Sequence, residues 1–123
     1  MSSVLGWLLD KMARQELLSL FPPVYPDVIA HHVTLQAKAP ASMPLPSARA
    51  GEIVGQADDG LGVQALVVSI EGTTDRPGGG TYHITWSLDR SQGRKPVDSN
   101  AVITERGWTA CNPVPIRLNP ARI

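Results

Sequence analysis

Cysteine is nearly absent: Cys111 is the only one in 123 residues. A lone thiol excludes an intrachain disulfide framework and a cysteine-rich zinc site. It reads as a buried or half-buried thiol in a reducing compartment, because a nucleophilic thiolate needs an activating base beside it. An excess of one charge is also lacking. Lys plus Arg and Asp plus Glu number 11 each, for a formal net charge of +0. Proteins that grip long nucleic acid neutralise phosphates with a basic excess. Any nucleic-acid partner is therefore expected to be small or touched at one end, not a long nucleic acid. No apolar run reaches the about 18 residues of a spanning helix, so no membrane partner is expected. The apolar start has no basic residues ahead of it and is interrupted by Asp10, Lys11, Arg14 and Glu16. That is not the pattern of a secretory leader, and a cytoplasmic location is expected.

What is present suits one small domain over residues 1–123. Hydrophobic residues make up 42% and charged residues 18%, enough apolar surface for a core. Val4, Leu5, Leu8, Leu9, Met12, Leu17 and Leu20 recur at three- and four-residue intervals. This spacing predicts an N-terminal helix over 3–20, capped by Ser2 or Ser3 and stopped by Phe21-Pro22-Pro23. Beyond Pro26 the period shortens. Strands are expected over 28–37, 51–57, 61–71 and 81–89, with the apolar 61–71 central. Residues 38–50 read as a proline-rich loop, 72–80 as a flexible hairpin loop and 90–99 as a polar loop. A short strand is expected over 100–105. A last strand over 113–118 is expected at an edge, given Pro113 and Pro115. One helix and five or six mostly antiparallel strands make an α+β fold.

The chain has 3 histidines, and two begin the same short pattern. His32-Val33-Thr34-Leu35 and His83-Ile84-Thr85-Trp86 lie 51 residues apart, both on expected strands. Alternate strand residues share a face, so His32 aligns with Thr34 and His83 with Thr85, while Val33, Leu35, Ile84 and Trp86 face the core. If the two strands lie side by side, two imidazoles and two hydroxyls converge. Hydroxyls and an imidazolium donate to phosphate oxygens, and a neutral imidazole accepts a proton from water. Such chemistry needs no metal, and no cofactor is expected. Two histidines without patterned cysteines are a poor zinc set, although Asp or Glu could complete one. His31 would share its face with Ile29, Val33 and Leu35 and pack toward the N-terminal helix as a neutral structural residue. Lys95 or Arg94 could reach a phosphate from the loop after the second strand, and Tyr25 or Trp108 could stack a nucleobase. Gly78-Gly79-Gly80 lacks the lysine and helix of a phosphate loop.

The paired H-x-T segments resemble the two signatures of the two-histidine phosphoesterase superfamily. That superfamily includes bacterial RNA ligase-like cyclic phosphodiesterases, the cyclic nucleotide phosphodiesterases of myelin and phage enzymes that destroy cyclic oligonucleotide signals. Gly93-Arg94-Lys95-Pro96-Val97-Asp98-Ser99 is similar to the loop that follows the second signature in the cyclic phosphodiesterase branch. The resemblance spans roughly residues 28–103. It implies a minimal bilobal fold of two antiparallel sheets flanking a cleft, with one signature per lobe, and a homodimer partner could supply missing parts. It implies hydrolysis, without metal, of a 2′,3′-cyclic phosphate or a 2′–5′ phosphodiester in a nucleotide or short RNA end. His32 and His83 would be acid and base, with Thr34, Thr85, Lys95 and Tyr25 binding substrate. The alternative is a binding module that keeps the phosphate cradle and does no chemistry.

Overall fold

The computed structural model describes residues 3–123. The chain runs β1 (Ser3–Leu9), α1 (Lys11–Leu20), β2 (Asp27–Val28), β3 (His32–Ala39), β4 (Ala50–Asp58), β5 (Val63–Ser69), β6 (His83–Leu88), a short 3-10 turn, α2 (Asp98–Arg106) and β7 (Thr109–Arg122). The seven strands form one sheet in the order β2-β6-β5-β4-β7-β1-β3, with every pair antiparallel. The class is α+β. No described helix is long and apolar enough to cross a membrane.

The first half of the expected 3–20 helix is a strand. β1 lies between β7 and β3 and is apolar on both faces, so its pattern fits a helix and a central strand equally. Gly6 weakens a helix and permits the strand, since a Cβ there would collide with the carbonyl of Val33 on β3. Ser2 lies outside the described residues, and Ser3 opens β1 rather than capping a helix. The cap of α1 is Asp10, whose carboxylate accepts from the Ala13 amide at 3.2 Å.

The expected strand over 100–105 is also overturned, because those residues lie in α2. Asp98 stands in its first turn, and Gly107, at φ 74°, ends it by donating to the Ile103 carbonyl. Val102 and Ile103 pack with Ala57, Val63, Ala65 and Val67 on one face of β4 and β5. The opposite face holds the larger core, where Leu17 of α1 meets Trp7, Val33, Ile53, Leu66, Ile84 and Trp86.

β7 is not an edge strand in the order, yet each of its halves is paired on one side only. Thr109–Arg117 registers with β4, and Leu118–Arg122 registers with β1. Pro113 and Pro115 lie in the first half, where a missing N–H can face away from the partner. The strand therefore hinges a larger sheet onto a smaller one made of β1, β3 and its own C-terminal half. The sheet curls until β3, the last strand of the order, touches β6, the second from the other end.

Candidate functional site

The segment between β2 and β3 carries the chain from one sheet to the other. Ile29 and Ala30 donate to the carbonyls of Trp86 and Thr85 at 2.9 and 3.0 Å, continuing the pairing with β6. One residue later the His31 carbonyl accepts from Leu9 of β1 at 2.9 Å. At the crossing Ala30 adopts φ 45°, a left-handed conformation unusual for a residue with a side chain. β3 thus starts at His32 directly against the start of β6 at His83.

The two H-x-T segments meet there. A cavity of about 370 Å³ is lined by His31, His32 and Thr34 on one side and by His83 and Thr85 on the other, with Arg76 and Asn100 completing its polar wall. Val33, Ile84 and Trp86 are fully buried in the core behind it, and Leu35 packs against them half-buried. The alternation of the two strands is therefore as expected. The strands do not pair side by side, however, because β3 ends the strand order on one side while β6 lies next to β2 near the other end of the curled sheet.

His83 is buried, and its Nδ1 lies 2.8 Å from the Thr81 carbonyl. A carbonyl only accepts, so Nδ1 carries the proton and neutral His83 presents a bare Nε2. Burial pushes its pKa below the ordinary imidazole value; the Thr81 bond works against that shift, and Arg76 adds to it. His32 is also held low, first by burial and then by the neighbouring charges of His31 and His83. Thr85 Oγ1 lies 3.1 Å from the Pro96 carbonyl and 2.9 Å from Ser99 Oγ, so its hydroxyl already has protein partners.

His31 departs from its expected place. It is exposed and lines the cavity instead of packing toward α1. Its Nδ1 stands 3.0 Å from Nδ1 of His32, with the two rings nearly perpendicular at 82°. Strict alternation fails because His31 precedes β3 and follows the left-handed Ala30.

Like Asn100, Arg76 is a site residue that the sequence did not reveal. It comes from the 72–80 loop, whose bridges Ile70–Thr73 and Asp75–Thr81 give it more order than a flexible hairpin. Its Nε donates to the Gly79 carbonyl at 3.0 Å, and a terminal nitrogen reaches Asn100 Oδ1 at 3.4 Å. Gly80 makes room for it, since a Cβ there would stand 2.7 Å from that nitrogen. The only signal was an arginine inside a glycine-rich loop just before an H-x-T strand.

Other expected residues are elsewhere. Tyr25 donates to Asp58 at 2.5 Å and lines a separate hollow beside Gly60, Gly62 and Arg94. Lys95 is exposed and outside the cavity wall, although its neighbours Pro96 and Val97 form part of it. Arg94 is bound to Asp59 at 2.8 Å. The ring of Trp108 covers Gly55 of β4. Cys111 is half-buried, and burial pushes its thiol pKa up, away from nucleophilic character.

Among the described residues no carboxylate lines the cavity, while three imidazoles and one guanidinium do. The wall suits an anion. Among the described residues no three His, Cys, Asp or Glu side chains form a metal-ligand group. Comparison of the chain with protein-family models, curated proteins and solved structures returned no match.

Proposed function

We propose that the chain is a phosphodiesterase that opens a 2′,3′-cyclic phosphate or a 2′–5′ phosphodiester in a nucleotide or short RNA end. The observation that carries this reading is one cavity lined by both H-x-T pairs, with His83 locked in the tautomer of a base. A cavity of about 370 Å³ falls within the roughly 300–1,000 Å³ of small-molecule sites, enough for a mononucleotide or the end of a short strand.

The chemistry follows from the two imidazoles. Water attacks phosphorus as Nε2 of His83 takes its proton. The bond from phosphorus to the leaving ribose oxygen breaks, and His32 gives that oxygen a proton. Burial, with His31 and His83 beside His32 and Arg76 beside His83, holds both rings below the ordinary imidazole value. A phosphate anion supplies the opposite charge that lets one of them hold a proton. Thr34 and Arg76 hold the non-bridging oxygens. Thr85 joins them if its hydroxyl turns from Pro96 to the phosphate while Ser99 donates to it.

The test is turnover of 2′,3′-cyclic AMP and of short 2′–5′ adenylates in the presence of a strong chelator. His32→Ala and His83→Ala are each expected to lower turnover roughly 10²–10⁴-fold, the worth of a positioned acid or base. Binding without turnover would make the domain a nucleotide-binding module. Loss of activity on chelation, restored by Zn²⁺ or Mn²⁺, would overturn the metal-independent mechanism.

A further inference from the structure

The Nδ1 atoms of His31 and His32 stand 3.0 Å apart, a distance at which one must carry a proton and the other must not. We propose that His31 is a positioning residue that donates this proton to His32 and thereby fixes Nε2–H as the face His32 turns to the leaving oxygen. The inference rests on the phosphodiesterase reading and adds to it a proton source that the paired H-x-T pattern does not contain.

Exposure decides the direction of the bond. His31 is exposed, whereas His32 is half-buried beside His83. Water solvates a cation on the outer ring far better than on the inner one. With the cation on the outer ring, His31 Nδ1–H points at His32 Nδ1. His32 remains neutral with its proton on Nε2. His83 is neutral with its proton on Nδ1 and its Nε2 bare. The two catalytic imidazoles then present opposite Nε2 states while neither carries charge.

Protons balance through the reaction. His32 gives its Nε2 proton to the leaving oxygen and receives the Nδ1 proton of His31. His83 accepts the proton from water. The single positive charge moves from exposed His31 to His83, and no proton is created or lost. The other charged or titratable groups facing the pair are His83 of β6 and Arg76 of the preceding loop. On the α1 side Arg14 donates to the Ala30 carbonyl at 2.9 Å, next to the pair. None of these is a carboxylate that could replace His31 as the partner of His32 Nδ1.

The experiment compares wild type with His31→Phe, which keeps a ring but has no N–H, and His31→Gln, whose amide can still donate. Imidazole ¹⁵N spectra are followed against pH, alongside kcat/KM for 2′,3′-cyclic AMP. In wild type the His32 signals should move in two coupled steps, and in His31→Phe in one. The alkaline limb of kcat/KM should shift to lower pH in His31→Phe, because the buried His32 must then hold the acid proton itself. The rate should fall roughly 10- to 100-fold, less than on deleting the acid outright. His31→Gln should retain the Nε2–H form of His32 and recover part of that loss. Unchanged His32 titration and an unchanged alkaline limb in His31→Phe would overturn the proposal. If wild type turns over no cyclic phosphate, the phosphodiesterase reading fails, and the ¹⁵N titrations alone decide whether the pair shares its proton.

Discussion

Thr85 of β6 and Ser99 of α2 are joined by a buried hydroxyl–hydroxyl contact of 2.9 Å, and Thr85 lies a further 3.1 Å from the Pro96 carbonyl. This contact ties the second H-x-T strand to the start of α2. It also makes the two threonines of the site unequal. Thr34 lines the cavity half-buried, whereas Thr85 is buried and holds structure together.

Thr85→Val should therefore cost stability. It leaves the buried Ser99 hydroxyl without its partner, worth about 1–3 kcal/mol, while the Pro96 carbonyl keeps the Ser99 amide at 3.2 Å. Thr34→Val should change stability by only about 0.5 kcal/mol, as at most sites without a buried network. Both should weaken binding of the phosphate. Denaturant melts of the two variants beside KM for 2′,3′-cyclic AMP check this. Equal stability losses would show that the Thr85–Ser99 contact contributes little.

Stability should fall on mild acidification. Burial, the largest cause, holds His83 and His32 below the ordinary imidazole value, which is about 6.5 in the unfolded chain. As pH drops below that value the unfolded chain binds protons that the folded chain does not, so unfolding becomes easier. The loss accumulates until pH passes the lower folded values and then levels off. His83→Gln should flatten this slope between pH 7 and 5 in thermal melts. An unaltered slope would mean that His83 is solvated rather than buried in solution.

Arg76 should act on substrate and on His83 together. Arg76→Gln removes the cation from the cavity wall, so KM for a cyclic phosphate should rise roughly tenfold, the loss of one charge-assisted contact of about 1.5 kcal/mol. The same change lets the His83 pKa rise, because Arg76 is one of the groups holding it down. The acid limb of the rate should move to higher pH. Gly80→Ala should mimic this in part. A Cβ there stands 2.7 Å from the guanidinium, and the backbone is at φ 90°. If KM in Arg76→Gln is unchanged, the guanidinium does not touch the substrate.

The legible part of the fold was the part with a clean period. The H-x-T strands alternate so that Val33, Ile84 and Trp86 fill the core while His32, Thr34, His83 and Thr85 line the cavity. Residues 3–9 were not legible as a strand because every face of β1 is apolar, which hides the difference between a period of 3.6 and one of 2. Residues 100–105 are rich in β-branched side chains, yet Asp98 and Gly107 bracket a helix that packs on β5. Arg76 and His31 escaped for another reason. Both reach the cavity from backbone outside the strands, where no periodicity says which way a side chain points.

Ala30 is the clearest case of a residue whose importance lies in its backbone. It is fully buried at φ 45°, donates to Thr85 and accepts from Arg14. Its turn brings both His31 and His32 to the cavity. Glycine there would relieve about 1–2 kcal/mol of left-handed strain, against about 0.5–1 kcal/mol more entropy lost on folding. Ala30→Gly should therefore leave stability unchanged or raise it by up to about 1.5 kcal/mol, with turnover of 2′,3′-cyclic AMP preserved. Ala30→Val adds β-branching at positive φ and bulk where nothing is exposed, so it should cost more than the about 1–3 kcal/mol of ordinary overpacking. Where it remains folded, the crossing must change its dihedrals, and His31 and His32 should lose their contact. Melting curves, turnover and the coupled ¹⁵N titration of the two histidines read all three consequences. A folded Ala30→Val variant with full activity would show that the left-handed crossing is not what places the histidines.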